Sequence, residues 1–125
     1  MRALTVCCLL TFAGPALADT TFATGSMLYG AAVTTTICSI YNAGPVALRI
    51  TSVGIVPYND SLGTTAADSD GCVGMLAPDT TCHFTGSLGV YGGGIAKVRG
   101  GTKNLRGTCI LSDAGSVIRL SEQMR

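Results

Sequence analysis

Apolar residues recur at every second position along most of this chain, and the i, i+3, i+4 spacing of a helix is hard to find. Thr, Val, Ile and Gly are abundant, whereas Glu, Lys and Gln are few, a composition that favours strands and disfavours helices. Turn residues punctuate the alternation at Gly44-Pro45, Gly54, Pro57, Gly63, Gly71, Pro78, Gly86, Gly92-Gly93-Gly94, Gly100-Gly101 and Gly115. Short strands at this spacing predict an all-β sandwich or barrel.

The strands can be placed from the alternation. Ala32 to Tyr41 is the first strong one, with Cys38 and Ile40 on one face and Ile37, Ser39 and Tyr41 on the other. Asn42-Ala43-Gly44-Pro45 is a turn, because Asn tolerates the left-handed region and Gly accepts positive φ. In Val46 to Val56 the parity changes midway. Val46, Leu48 and Ile50 share one face and Val53 and Ile55 the other, so a β-bulge near Thr51-Ser52 is needed to keep both sets inward. Thr80 to Gly86 turns Cys82 and Phe84 inward and His83 outward. Ile95 to Gly100 alternates Ala96 and Val98 against Ile95, Lys97 and Arg99. Leu105 to Ser112 and Ser116 to Leu120 form a last hairpin, and a weak early strand lies within Thr20 to Leu28. Asn59 to Pro78 reads as a long irregular connection, which in a compact domain is either functional or tied down. Its polar part, Asn59 to Gly71, is expected to be the most mobile stretch and the first choice of binding surface.

The chain opens with a short positive Met1-Arg2, an uncharged and largely apolar run from Ala3 to Ala13, a breaking Pro15 and the small-x-small triplet Ala16-Leu17-Ala18. This is the pattern of a secretion signal, residues 1–18, cut between Ala18 and Asp19. The run is shorter than the roughly 20 apolar residues that span a bilayer, so no transmembrane segment is expected after cleavage. Residues 19–125 then form a single domain of formal charge zero, because Arg2 leaves with the signal. A balanced chain gives no reason to expect nucleic acid or an anionic membrane as partner. The charge is nonetheless uneven: most basic residues lie at or after Lys97, and most acidic ones at or before Asp79.

Cys38, Cys72, Cys82 and Cys109 remain in that domain, and with a secretion signal they imply disulfides formed in an oxidising compartment, the periplasm or the cell exterior. Four cysteines allow three connectivities. Strand parity favours Cys38–Cys109, since both lie mid-strand on inward faces, as an inter-strand or inter-sheet bridge. Loop spacing favours Cys72–Cys82, which would clamp the end of the long connection to a strand. A zinc site is the rival reading, but its usual cysteine pairs, two to four residues apart, do not occur here.

Three segments carry a family resemblance: Cys38-Ser39-Ile40-Tyr41-Asn42-Ala43-Gly44, Leu48-Arg49-Ile50-Thr51-Ser52-Val53 and Leu76-Ala77-Pro78-Asp79-Thr80-Thr81-Cys82. Together they resemble the immunoglobulin-like β-sandwich modules of bacterial secreted and periplasmic proteins. In those modules an Asn-x-Gly turn joins two strands and a Leu-x-Pro-x-x-x-Cys segment opens a later one. The aromatic-x-Pro segment that usually follows is missing here. The resemblance implies a small disulfide-stabilised immunoglobulin-like β-sandwich and a tendency toward binding roles; fold alone carries no function.

Candidate chemistry is sparse. His83, the single histidine, is a possible base or ligand, but it faces outward and no partner for it is evident in the sequence. No serine sits in Gly-x-Ser-x-Gly. Asp68-Ser69-Asp70-Gly71 with Asp60 resembles part of a calcium loop, yet the twelfth position from Asp68 is Asp79 rather than Glu. The glycine runs lack the Lys-Ser pair of a phosphate cradle and read as flexible hairpin turns. Asn59-Asp60-Ser61 is a sequon that matters only where the source glycosylates its exported proteins. Lys97, Arg99, Lys103 and Arg106 read as neighbours on two adjacent strands, forming either a basic patch for an acidic partner or, as the favoured reading, edge protection against aggregation. No cofactor or metal is expected. The expectation is a non-enzymatic domain that binds another protein or an envelope component, or has a structural role there; the alternative is a small secreted enzyme or enzyme inhibitor.

Overall fold

A computed structural model describes residues 18–24, 27–28, 35–56, 65–87, 91–112 and 118–124. Eleven strands and no helix make up these residues: β1 (Asp19–Ala23), β2 (Met27–Leu28), β3 (Thr35–Asn42), β4 (Leu48–Val56), β5 (Thr65–Ala66), β6 (Ser69–Asp70), β7 (Gly74–Leu76), β8 (Thr81–Gly86), β9 (Tyr91–Arg99), β10 (Leu105–Ser112) and β11 (Ile118–Met124). All pairings are antiparallel. In the first sheet β9 and β4 run side by side; β1 and β2 flank β9, and β5 and β7 flank β4. The second sheet has the order β11-β10-β3-β8-β6. The two sheets pack face to face as an all-β sandwich.

Alternation explains the packing. Cys38 and Ile40 from β3, Cys82 and Phe84 from β8, and Cys109 and Leu111 from β10 point inward from the second sheet. Ile50 and Ile55 from β4, Ala96 and Val98 from β9, and Phe22 from β1 meet them from the first. The expected bulge is present: the register of β4 on β9 shifts between Ile50 and Ser52. It lets Ile50, paired with Val98, and Val53, paired with Ala96, face the same core despite opposite parity.

Both expected bridges form, the one that strand parity favours and the one that loop spacing favours. Cys38 and Cys109 are directly opposed in the β3–β10 ladder, with a Cα–Cα distance of 4.1 Å and both side chains fully buried. The bridge is therefore inter-strand and lies within one sheet. Cys72 joins Cys82 at a Cα–Cα distance of 5.0 Å, at the point where the chain leaves β6 in the second sheet for β7 in the first.

Two expectations need correction. Gly92, Gly93 and Gly94 are not hairpin turns but part of β9, paired with β2 and β4. Their missing side chains hid the alternation, and close packing against the bridge explains why Gly94 has none. The second concerns the long connection. Residues 57–64 lie outside the described residues, but 65–76 are not an irregular loop: they supply β5, β6 and β7. Asp68 N–H donates to the Thr85 carbonyl and Gly71 N–H to that of His83, continuing the β6–β8 pairing. This stretch therefore flanks both sheets on one side, and the described part of Asn59 to Gly71 is paired backbone rather than irregular loop. Smaller differences are matters of extent: β11 runs on to Met124 because pairing with β10 carries polar Ser121-Glu122-Gln123 along, and the early strand divides into β1 and β2.

Asn42 ends β3 and is the fully buried polar side chain that organises this end of the sandwich. Its Nδ2 donates to the carbonyls of Val46 (2.9 Å) and Leu76 (3.1 Å), and its Oδ1 accepts from Gly44 N–H (3.0 Å). The turn after β3 and the end of β7 are thereby tied to one amide, which leaves none of these groups unpaired.

Candidate functional site

The outer face of the second sheet holds the best-formed polar arrangement. Register across β10, β3 and β8 lines up outward residues in rows: Thr108, Ser39 and His83 in one, Arg106, Tyr41 and Thr81 in the next. The inward neighbours Cys38, Ile40, Cys82 and Phe84 hold these strands in phase, so the rows are fixed by the core. Ser39 Oγ lies 2.8 Å from His83 Nδ1, a partner for the histidine that sequence reading missed because it is 44 residues away in the chain. Only the β3–β8 register brings the two together.

Tyr41 O–H donates to Asp79 Oδ1 at 2.9 Å. That hydrogen bond, and then the carboxylate's charge, raise the phenol above its ordinary value of 10.0. Asp79 holds its position in a turn with φ of 53°, a left-handed conformation that Asp tolerates, and its N–H donates to the Asn42 carbonyl. The Arg106 guanidinium folds back on its own strand end, where Nη1 donates to the carbonyls of Leu105 (2.8 Å) and Lys103 (3.1 Å). A shallow, open groove of about 200 Å³ lies on this face over the paired strands β3 and β10, lined by Ser39, Tyr41, Arg106, Gly107 and Thr108.

The acidic loop takes a different role from the calcium reading. Asp70 Oδ1 accepts from the N–H groups of Cys72 (2.7 Å) and Val73 (3.0 Å), and Asp68 Oδ2 accepts from Ser87 N–H (2.7 Å). These carboxylates brace the backbone around Cys72, and Asp60 lies outside the described residues. Asn59 and Ser61 of the sequon lie outside them as well.

The basic cluster is also rearranged. Lys97 and Arg99 are on β9 in the first sheet, whereas Arg106 is on β10 in the second, so the four cations do not share one surface. Nor are Lys97 and Arg99 edge guards, because β9 has neighbours on both sides. They stand on the outer face of the first sheet, and Arg49 of β4 pairs directly with Arg99. Asp19 of β1 approaches Arg99 Nε at 3.5 Å and accepts a 2.8 Å hydrogen bond from Thr51 Oγ1. The Thr51 hydroxyl, joined by Arg99 and Lys97, outweighs the opposing effect of desolvation and holds the Asp19 carboxyl below its usual range.

Among the described residues no group of three or more His, Cys, Asp or Glu side chains is arranged to hold a metal, and no helix is long and apolar enough to cross a membrane. The two disulfides are typical of an oxidising compartment. No family model, no curated protein and no solved structure matches the chain.

Proposed function

We propose that this is an exported, non-enzymatic domain of the periplasm or cell exterior that binds another protein, or an envelope component built of protein, through the outer face of its second sheet. The shallow groove over β3 and β10 carries the reading. At about 200 Å³ it is smaller than the usual small-molecule pocket and suits one anchoring side chain. Tyr41 and Arg106, which wall it, are residue types that concentrate binding energy at protein interfaces. A stapled sandwich supports such a surface because its rows are ordered before any partner arrives. Inhibition of an enzyme would be one form of the same activity.

The 2.8 Å contact between Ser39 and His83 favours a second reading, a small secreted hydrolase. A serine nucleophile needs a base that is itself oriented and donors aimed at the developing oxyanion. The N–H groups of β3 lie in ladders toward β8 on one side and β10 on the other, which leaves this face short of such donors. The binding reading is therefore preferred. Assay of the oxidised protein on ester, peptide and glycoside substrates, beside His83→Ala and Ser39→Ala, separates the two. The binding reading expects no turnover; turnover abolished by both substitutions would replace it with the enzyme.

A further inference from the structure

We infer that the outer face of the first sheet is a second docking surface, on the opposite side of the sandwich, for a protein partner carrying an extended run of carboxylates. One cross-strand row spans four strands: Asp19, Arg99, Arg49 and Met75. The inward residues beside the two arginines, Ile50 and Val98, are buried, so Arg49 and Arg99 share the outer face. Like charges set directly opposite in a ladder work against the sheet. Lys97 extends the cationic stripe along β9, opposite Ser52. These residues stand on the two central strands of the sheet, where no edge needs protecting.

The stripe already shows what it accepts. The Asp19 carboxylate sits between Arg99 and the Thr51 hydroxyl, while Arg49 and Lys97 make no ion pair among the described residues. Three cations therefore meet one carboxylate. Lys97 and Arg99 are two residues apart on one strand, a repeat of about 6.6 Å. An extended acidic segment presents alternate carboxylates at that same repeat. A flat sheet face fits such a segment better than a compact ion, and Met75, 64% exposed beside Arg49, adds apolar contact at the end of the row.

The test uses the full oxidised protein with poly-glutamate of about 20 residues, long enough to cross the sheet, and phosphatidylglycerol vesicles as a separate arm. Poly-glutamate is expected to bind at about 0.05 M salt and to weaken about tenfold by about 0.3 M, as screened surface charges do. Arg49→Gln/Arg99→Gln is expected to lose about tenfold in affinity. Its melting temperature should change by no more than a few degrees, since relief of the like-charge pair is set against loss of the exposed Asp19–Arg99 contact. Ser39→Ala/His83→Ala should bind as the unaltered protein does. Absence of binding, equal binding by the arginine variant, or a preference for vesicles would each overturn the inference. Loss of binding in Ser39→Ala/His83→Ala alone would move the carboxylates to the groove, overturning this face while leaving the proposed binding role intact.

Discussion

Gly94 on β9 stands directly over Cys109 on β10: a Cβ at Gly94 would lie within 2.5 Å of the Cys109 sulfur and collide with that of Cys38. The bridge of one sheet thus lies against bare backbone of the other, with Phe84 Cζ alongside. Gly94→Ala is expected to destabilise the domain by about 1–3 kcal/mol through overpacking. In a Cys38→Ala/Cys109→Ala background most of that penalty should vanish, giving a coupling of about 1 kcal/mol or more in a double-mutant cycle read by urea unfolding. Additive effects would mean that Gly94 and the bridge do not touch.

The bridges themselves should differ in weight. In the loop-closure model, Cys38–Cys109, with a sequence separation of 71, contributes about 4.4 kcal/mol, and Cys72–Cys82, separated by 10, about 2.7 kcal/mol. The smaller ring lies inside the larger, so the two contributions are not independent. Paired alanine substitutions compared by denaturant midpoint check the order. A larger loss from Cys72→Ala/Cys82→Ala would show that tying β6 to β7 matters more than chain entropy.

These features differ in how far the sequence announced them. Strand phase was readable wherever side chains alternate, and Cys38 and Cys109 declared their pairing by sitting on inward positions of such strands. The bulge was readable because Ile50 and Val53 have opposite parity yet both need burial. Gly92-Gly93-Gly94 carry no side chains and therefore no period, so the alternation marks β9 only from Ile95 onward. The two- and three-residue strands β5 to β7 are too brief for any period to register, and pairing with β4 and β8 creates them. Which sheet each strand joins is a long-range property. For that reason the sequence groups Lys97 with Arg106, leaves Arg49 outside the basic cluster, and does not match Ser39 with His83.

Asn42 offers a test of the buried polar knot. Asn42→Leu fills similar space but leaves the carbonyls of Val46 and Leu76 and the N–H of Gly44 without their partner. A loss of about 2–4 kcal/mol is expected in equilibrium unfolding. A neutral substitution would mean that this end of the sandwich is held by apolar packing alone.

Tyr41 should titrate late. Its folded-state value is raised, so the contact with Asp79 stabilises the fold below the ordinary phenol value and is lost as pH rises through the higher, folded one. Ultraviolet titration should show a tyrosine ionising above pH 10.0 that moves back in Asp79→Asn. The same titration in both proteins would remove the Tyr41–Asp79 bond from solution.

The central claim is that the outer face of the second sheet binds a protein partner. Its most direct test is affinity for the purified partner, first captured on the oxidised protein from the exported fraction of its source, measured against Tyr41→Ala/Arg106→Ala. Both side chains are solvent-facing, so loss of the exposed Tyr41–Asp79 bond should lower the melting temperature of this variant by no more than a few degrees. The account predicts that its affinity falls by about tenfold or more, an interface cost above 1.4 kcal/mol. Equal affinity in the two proteins, or no partner retained by the unaltered one, would contradict it.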